Sequence, residues 1–439
     1  MRKITTFIAI AALSFSSIGC DRFLDIQPEG KIIPMNAEDY RKVLTSAYSQ
    51  YPVHKSLTAL RTDELTIDET LNEFNVYREI AMWKDSNNDQ ATAEFPWVAF
   101  YSVNFYLNQV INEGSKTMAD SPEKNQILAE AYALRAYLYF DLVNLYGKPY
   151  NSATAATDRG VPISLEIDLE QVLKPSSVQA VYDQVHADMA KAEGLMVEEK
   201  QPAGINYRFS KTALKAFQAR TALYQNDWNK ALSYAQQVIA VKGELSNLNT
   251  TPTAPNHYAS VESILALDNA LNIAVQNVSY ASPELTSKYN TTTDKRFSLY
   301  FEKNGSKYKV IKGGTTDFRV SFRTAEMYFI QAEALLKLNR LAEAKEAILK
   351  VLKNRYTPDG YLTVQNQINP MNTSDFMNFI LEERFREFAL EGHRWMDLRR
   401  ADQKKIIHNV NGTDYILQQN DVRYTIEFPM SAKKNNPLL

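Results

Sequence analysis

The densest run of ionisable side chains in this sequence lies between residues 382 and 400, where Glu382, Glu383, Glu387 and Glu391 are interspersed with and followed by Arg384, Arg386, Arg394, Arg399 and Arg400. Paired carboxylates can do acid/base work, but only if one of them holds a proton near neutral pH. Carboxylates among this many guanidiniums stay ionised, so the run reads as ion pairing within a scaffold. His393 and Asp397 stand four apart and could share a metal, yet no second His or Cys lies near them. HExxH, paired cysteines and a G-x-S-x-G elbow are missing, and the five histidines are scattered. A glycosidase needs only two carboxylates a few ångströms apart. With 51 acids in the chain, that chemistry stays open on sequence grounds.

Recognition without chemistry has a different signature. An aromatic ring stacks on the C–H face of a sugar while Asn, Asp and Arg satisfy its hydroxyls. Leu57 to Phe95 supplies such a mixture: Asp63-Glu64, Asp68-Glu69, Phe74, Tyr77, Arg78, Trp83 and then Asp85-Ser86-Asn87-Asn88-Asp89. A long stretch without helical period, carrying aromatics among amides and acids, is a candidate binding surface. Trp83 is the expected platform, with Tyr77, Arg78, Asn87, Tyr280 and Tyr289 as further ligand contacts. No residue is assigned a catalytic, metal-binding or cofactor role. On this reading Trp83→Ala weakens ligand binding and leaves thermal stability nearly intact. Trp97, Trp228 and Trp395 lie in or beside helical patterns and are expected in the core.

The elements that must hold these residues are mainly helical. Phe376, Phe379, Ile380, Phe385, Phe388 and Ala389 form an apolar stripe on one helix, with Ser374 and Asp375 at its start and Gly392 at its stop. Glu382 and Glu383 can each pair with Arg386 along it. Asn36 caps a helix running through Tyr40, Leu44 and Tyr48, with Asp39 three residues on. Trp97–Ile111 and Gln126–Tyr146 read as an aromatic-rich helix pair, and Ser176 begins another helix.

An internal repeat follows. Lys211–Ile239 lies over Thr324–Leu352 with Ala219 on Ala332, Asn226 on Asn339 and Ala231 on Ala344. Helix–turn–helix units with small residues at the crossing are the physics of a tetratricopeptide-like pair. The fold class is therefore mainly α: tetratricopeptide-like helix pairs forming a scaffold, with an irregular lobe of helix, loop and short strand packed on it. Ser246–Phe322 breaks the helical pattern, with strand-like runs at Ser263–Leu267, Ser306–Ile311 and Asp317–Phe322. The tail from Tyr415 reads as short strand and loop.

A net charge of −2 with scattered Lys and Arg argues against a nucleic-acid partner. The absence of a phosphate-cradling glycine loop argues against a nucleotide enzyme. Arg2 and Lys3, then an apolar run from Ile4 to Ile18, then Gly19-Cys20, follow the plan of a secretory signal peptide. Cys20 is the only cysteine, so no intrachain disulfide can form. A lone cysteine at the end of such a signal reads as a bacterial lipoprotein processing site, the alternative being a free thiol in a signal that is cut elsewhere. Ser17 stands three before it, where Leu is more usual.

The run EERFREFALEGHRWMDLRR resembles the C-terminal signature of SusD/RagB-like proteins, surface nutrient-binding lipoproteins of Bacteroidetes-type bacteria. Phe385 stands where that family often has Arg. Trp97 to Tyr101, Glu130 to Tyr137, the Phe-Leu-Asp after Cys20, Phe428-Pro429-Met430 and Asn436-Pro437-Leu438 also match its pattern. The resemblance implies a signal peptide at 1–19, a lipid-anchored leader at 20–35 and one body at 36–439. Within that body the scaffold would be 36–56, 97–245 and 323–400, the irregular binding lobe 57–96 and 246–322, and the tail 401–439. It also implies a non-enzymatic, surface-exposed outer-membrane lipoprotein that binds a glycan or other nutrient and passes it to a SusC-like TonB-dependent transporter. The rivals are a peptide- or protein-binding helical scaffold and a glycoside hydrolase.

Overall fold

Asn36 accepts a hydrogen bond from the Asp39 N–H at 3.1 Å and opens helix α1, Ala37–Ser49. The computed structural model describes residues 34–85, 91–168 and 170–439, and Asn36–Leu439 cluster into one unit. Strand β1 (Leu65–Ile67) and helix α2 (Phe74–Ala81) come next, then α3 (Trp97–Asn112), α4 (Pro122–Tyr146) and α5 (Val178–Leu195). The α4 helix starts at a Ser121 cap with Pro122 in its first turn. Both are standard starting signals. Its side chains are buried around most of its circumference, as befits a helix enclosed by α1, α3 and α5. The α5 helix packs mainly on α4 and only lightly on the helix that follows it.

The repeat is visible atom by atom. Helices α6 (Lys211–Tyr224) and α7 (Trp228–Val241) form one hairpin. After strands β2 (Ser263–Leu265), β3 (Ser279–Ala281), β4 (Phe301–Asn304), β5 (Lys307–Val310) and β6 (Phe322–Arg323), helices α8 (Thr324–Lys337) and α9 (Leu341–Leu352) form the other. Asn226 and Asn339 occupy the two turns with φ of +59° and +61°. The bonds Asn226 N–H to Leu223 O and Asp227 N–H to Ala222 O recur as Asn339 N–H to Leu336 O and Arg340 N–H to Leu335 O. Left-handed backbone costs most L residues about 1–2 kcal/mol, and Asn is among the few that tolerate it. Ala219, Ala231, Ala332 and Ala344 are fully buried where the helices approach. The α7 helix packs on α8, so the two hairpins stack.

The segment 57–96 and the insertion 246–322 share a sheet. Its order is β1-β3-β5-β4, antiparallel, with Thr66 opposite Tyr280 and Ala281 opposite Tyr308. The β2–β6 pair holds the insertion against the scaffold.

Helices α10 (Pro358–Ile368), α11 (Thr373–Glu387) and α12 (Arg394–Arg400) close the body, followed by hairpin β7 (Ile406–Val410)–β8 (Thr413–Leu417) and α13 (Met430–Asn435). Two expectations for α11 are corrected. Its cap is Asn372, which accepts from the Asp375 N–H, rather than Ser374. It ends at Glu387, well before Gly392. Gly392 instead has φ +82° and lies against Lys55, whose side chain a Cβ would meet at 2.6 Å. The β7–β8 turn is Asn411-Gly412, both at positive φ, the combination that closes a two-residue hairpin.

Candidate functional site

The carboxylates of α11 are bound into a buried ionic network. Glu387 meets Arg296 at 2.9 Å, Arg323 at 2.7 Å and Arg355 at 2.8 Å. Glu391 meets Lys312 at 2.6 Å and Arg323 at 2.8 Å, Glu383 meets Arg296 and Arg386, and Glu262 meets Arg323 and Arg355. Asp294 completes the set beside Arg296. Burial alone would raise Glu387 and Glu391, but the cations around them reverse the shift and hold both below the ordinary carboxylate range. Glu382 stands outside the network, exposed, at 3.3 Å from Lys288. His393 is buried against the Phe388 ring, and burial keeps its imidazole neutral. Asp397 is taken by Arg384 at 2.8 Å and Arg400 at 2.9 Å. These groups fasten elements together. Among the described residues no cluster of three or more His, Cys, Asp or Glu is placed to hold a metal.

The residues expected to contact ligand do not converge. Trp83 is 1 % exposed, with φ +54°. Its Nε1–H donates to Arg61 O at 3.0 Å, and its indole stacks on His408 with centroids 4.3 Å apart. Neither ring face is open, so the expected platform is a core residue. Its environment is made by the Arg61 carbonyl and the His408 ring, distant in sequence, rather than by the polar residues that follow it in the chain. Tyr289 is also buried. Its hydroxyl donates to Arg386 O at 2.7 Å and its ring packs edge-on against Phe301. Tyr77 and Arg78 are half-buried on α2. Tyr280 lies half-exposed on the outward face of β3, with Lys307 Nζ 4.7 Å from its ring centre. Asn87 and Cys20 lie outside the described residues. Among the described residues, surface clefts of about 600, 380, 590 and 670 Å³ are lined by other side chains and by none of these.

The cleft of about 590 Å³ lies along α3. Trp97, Tyr101 and Phe105 line it at four-residue steps, joined by Tyr106. At 1.5 Å per residue these three rings span about 12 Å of helix. Trp97 is the anchored end, packed on Tyr146 and Phe428 with centroids 4.9 and 4.8 Å away. Tyr101, Phe105 and Tyr106 are partly open. The opposite face of α3 (Phe100, Val103, Leu107, Val110) is buried, so the rings sit on a fixed support.

The second wall is the loop after Pro162, stapled to α3 by evenly spaced amides. Asn104 Nδ2 donates to Ser164 O at 2.8 Å, Asn108 to the same oxygen at 3.1 Å, and Asn112 to Leu165 O at 2.9 Å. Tyr101 donates to Pro162 O at 2.8 Å. Asn104 borders the cleft, and its Oδ1 is buried without a hydrogen-bond partner. Glu166 and Asp168 stand at the exposed rim, and Asn435 and Asn436 close the far side. Aromatic floor, amide walls and a volume within the usual range for small-ligand sites suit a polar ligand with flat apolar faces. The signal in the sequence is three aromatics at every fourth position of an aromatic-rich helix. Trp97 is buried as expected, whereas Tyr101 and Phe105, to which no role is assigned from sequence, are partly open.

Comparison with known proteins agrees with the architecture. A family model described as the SusD family matches residues 198–439, and one described as starch-binding, associating with outer membrane, matches residues 22–223. SusD-like protein P38 of Formosa agariphila is 24 % identical, over 96 % of this chain and 97 % of its own length. SusD-like protein P2 of the same organism is 23 % identical, over 94 % and 93 %. A SusD superfamily protein from Bacteroides vulgatus superposes with a TM-score of 0.76 at 20 % identity, covering 92 % of this chain and 98 % of the other. A laminarin-binding SusD-like protein superposes with a TM-score of 0.61 at 17 % identity, covering 84 % and 92 %.

Proposed function

Starting from the fact that this chain belongs to the SusD family, we propose that it captures an oligosaccharide in the α3 cleft, leaves its bonds intact and delivers it to a SusC-like TonB-dependent transporter. The observation that carries this reading is the row of rings Trp97, Tyr101 and Phe105 on one rigid helix, facing a loop fixed by three asparagines. Family membership carries association with the outer membrane. No described helix is long and apolar enough to cross a membrane. Attachment is assigned to lipid on Cys20, with residues 1–19 as signal peptide and 20–35 as tether to the body at 36–439. A single acyl chain binds a membrane only marginally, so a stable anchor takes a second signal, such as a further acyl chain.

Two measurements test this. In calorimetry against a panel of neutral oligosaccharides, Phe105→Ala should weaken the best ligand about tenfold, the value of one lost stacking contact of about 1.4 kcal/mol. Because Phe105 is partly open, the unfolding temperature should move by no more than about 2 °C. Unchanged affinity removes the site from this cleft. Shortened products after incubation replace capture with hydrolysis, and binding confined to a copurified membrane protein favours a protein-binding scaffold. Separately, Cys20→Ala should shift the protein from the membrane fraction to the soluble one, and retention in the membrane fraction would sink the lipid assignment.

A further inference from the structure

The cleft of about 600 Å³ lies elsewhere on the body, between the loop after α4, the α6–α7 turn and α12. Arg399 lines it and is 3 % exposed. The neighbouring arginines of α12 are neutralised: Arg394 by Asp63 at 2.7 Å, and Arg400 by Glu333 at 2.5 Å and Asp397. Among the described residues no carboxylate pairs with Arg399. Its terminal nitrogens donate to the Asn144 and Gly147 carbonyls at the end of α4, and its Nε–H is buried with no partner. A helix C-terminus carries only about half a negative charge. Positive charge is therefore left over at the back of this cleft. Burial, the largest influence on it, pushes the Arg399 guanidinium down to about 10.

The rest of the lining suits an anion bearing polar substituents. Asn151, Gln225 and Gln403 supply amides, and Tyr224 supplies a ring. Lys148 stands at the mouth, its side chain 66 % exposed and resting on Asp158 at 2.7 Å. Asp158 also lines the cleft, has a side chain 10 % exposed and accepts from Thr154, so an incoming anion shares the exposed Lys148 with it rather than replacing it.

We propose that this cleft is a second binding site, separate from the α3 cleft, that takes a small ligand through a carboxylate or sulfate group, with uronic acids and sulfated sugars as the favoured chemical class. An anion seated there offsets the charge that Arg399 leaves uncompensated and gains Lys148 as a second cation. The assignment does not depend on what the α3 cleft binds.

The test is calorimetry on the purified protein with glucuronate, glucose and acetate as probes at low ionic strength. Glucuronate should bind at least about tenfold more tightly than glucose, since the site discriminates by charge. Lys148→Glu should weaken glucuronate at least about tenfold while the unfolding temperature stays unchanged, because the side chain is exposed. Acetate matching glucuronate identifies the ligand as a simple carboxylate, and acetate much weaker identifies it as an acidic sugar. Both outcomes keep the site. Equal affinities for glucuronate and glucose, no binding of either, or glucuronate binding that survives Lys148→Glu overturns it. Arg399 itself is unsuitable as the main variant because it also ties α12 to α4. Arg399→Lys, if folded, should retain charge discrimination with lower affinity.

Discussion

Glu387→Gln should lower the unfolding free energy by about 3–5 kcal/mol, the range measured when one partner of a buried ion pair is removed. For a body of roughly 400 residues, with an unfolding entropy of about 2.1 cal/mol/K per residue, that is a fall of about 5 °C in unfolding temperature. The magnitude follows from charge balance. Arg296, Arg323, Arg355, Arg386 and Lys312 face Asp294, Glu262, Glu383, Glu387 and Glu391, and all are buried. Glutamine keeps the shape of Glu387 but leaves one cation in excess where water cannot reach it. It also presents an N–H₂ group to guanidiniums that can only donate.

The same residue sets an acid limit. Desolvation would raise its pKa, but Arg355, Arg323 and Arg296 more than reverse this and depress it well below the unfolded value near 4.5. A depressed folded pKa contributes stability that is fully present above the unfolded value and is lost as pH falls through the folded one. Wild-type stability should therefore decline below about pH 4.5, and Glu387→Gln should lose that part of the decline. Thermal unfolding at pH 7 and pH 3.5 measures both effects. A variant within 1 kcal/mol of wild type at pH 7 would mean that the network is hydrated or absent.

Local patterns carried the parts of this fold that depend on neighbours in sequence. The α6–α7 and α8–α9 register was readable because a helical hairpin needs small residues at its crossing and an Asn at its left-handed turn. That the acids of α11 would be paired was readable too, from the arginines beside them. The Glu383–Arg386 pair within the helix was readable as well, but the partners brought in from other elements were not. Glu387 is neutralised by Arg296, Arg323 and Arg355, none of them on its own helix. The pairing of β1 with β3 was equally hidden, since three-residue strands carry almost no periodic signal. The α3 cleft shows a different limit. Four-residue aromatic spacing is common to a core stripe and to a row of open rings. Only the placement of the 162–173 loop and the C-terminal residues separates the two. Choosing the polar, irregular segments as the binding surface followed the rule that sites lie on loops. Here those loops turn their largest aromatic inward.

Trp83→Ala is where that choice can be decided by measurement. The indole fills a pocket under residues 61–62 and the β7 strand, stacked on His408 and bonded to Arg61 O. His408 is itself fixed between Ala81 O at 2.7 Å and Thr62 O at 2.8 Å, so the ring pair links three chain segments. Truncating a buried Trp costs about 3–5 kcal/mol through lost burial and the cavity left behind. Trp83→Phe should keep most of the stacking area and lose the indole hydrogen bond, a cost of about 1–2 kcal/mol. Oligosaccharide affinity, measured on folded protein at low temperature, should be unchanged in both variants, because Trp83 lines none of the surface clefts described. Denaturant unfolding and calorimetry on one preparation separate the two possibilities. Stability retained with binding lost would restore Trp83 as the platform and remove the α3 cleft from consideration. Stability lost with binding retained leaves the rings of α3 as the surface on which a sugar can stack.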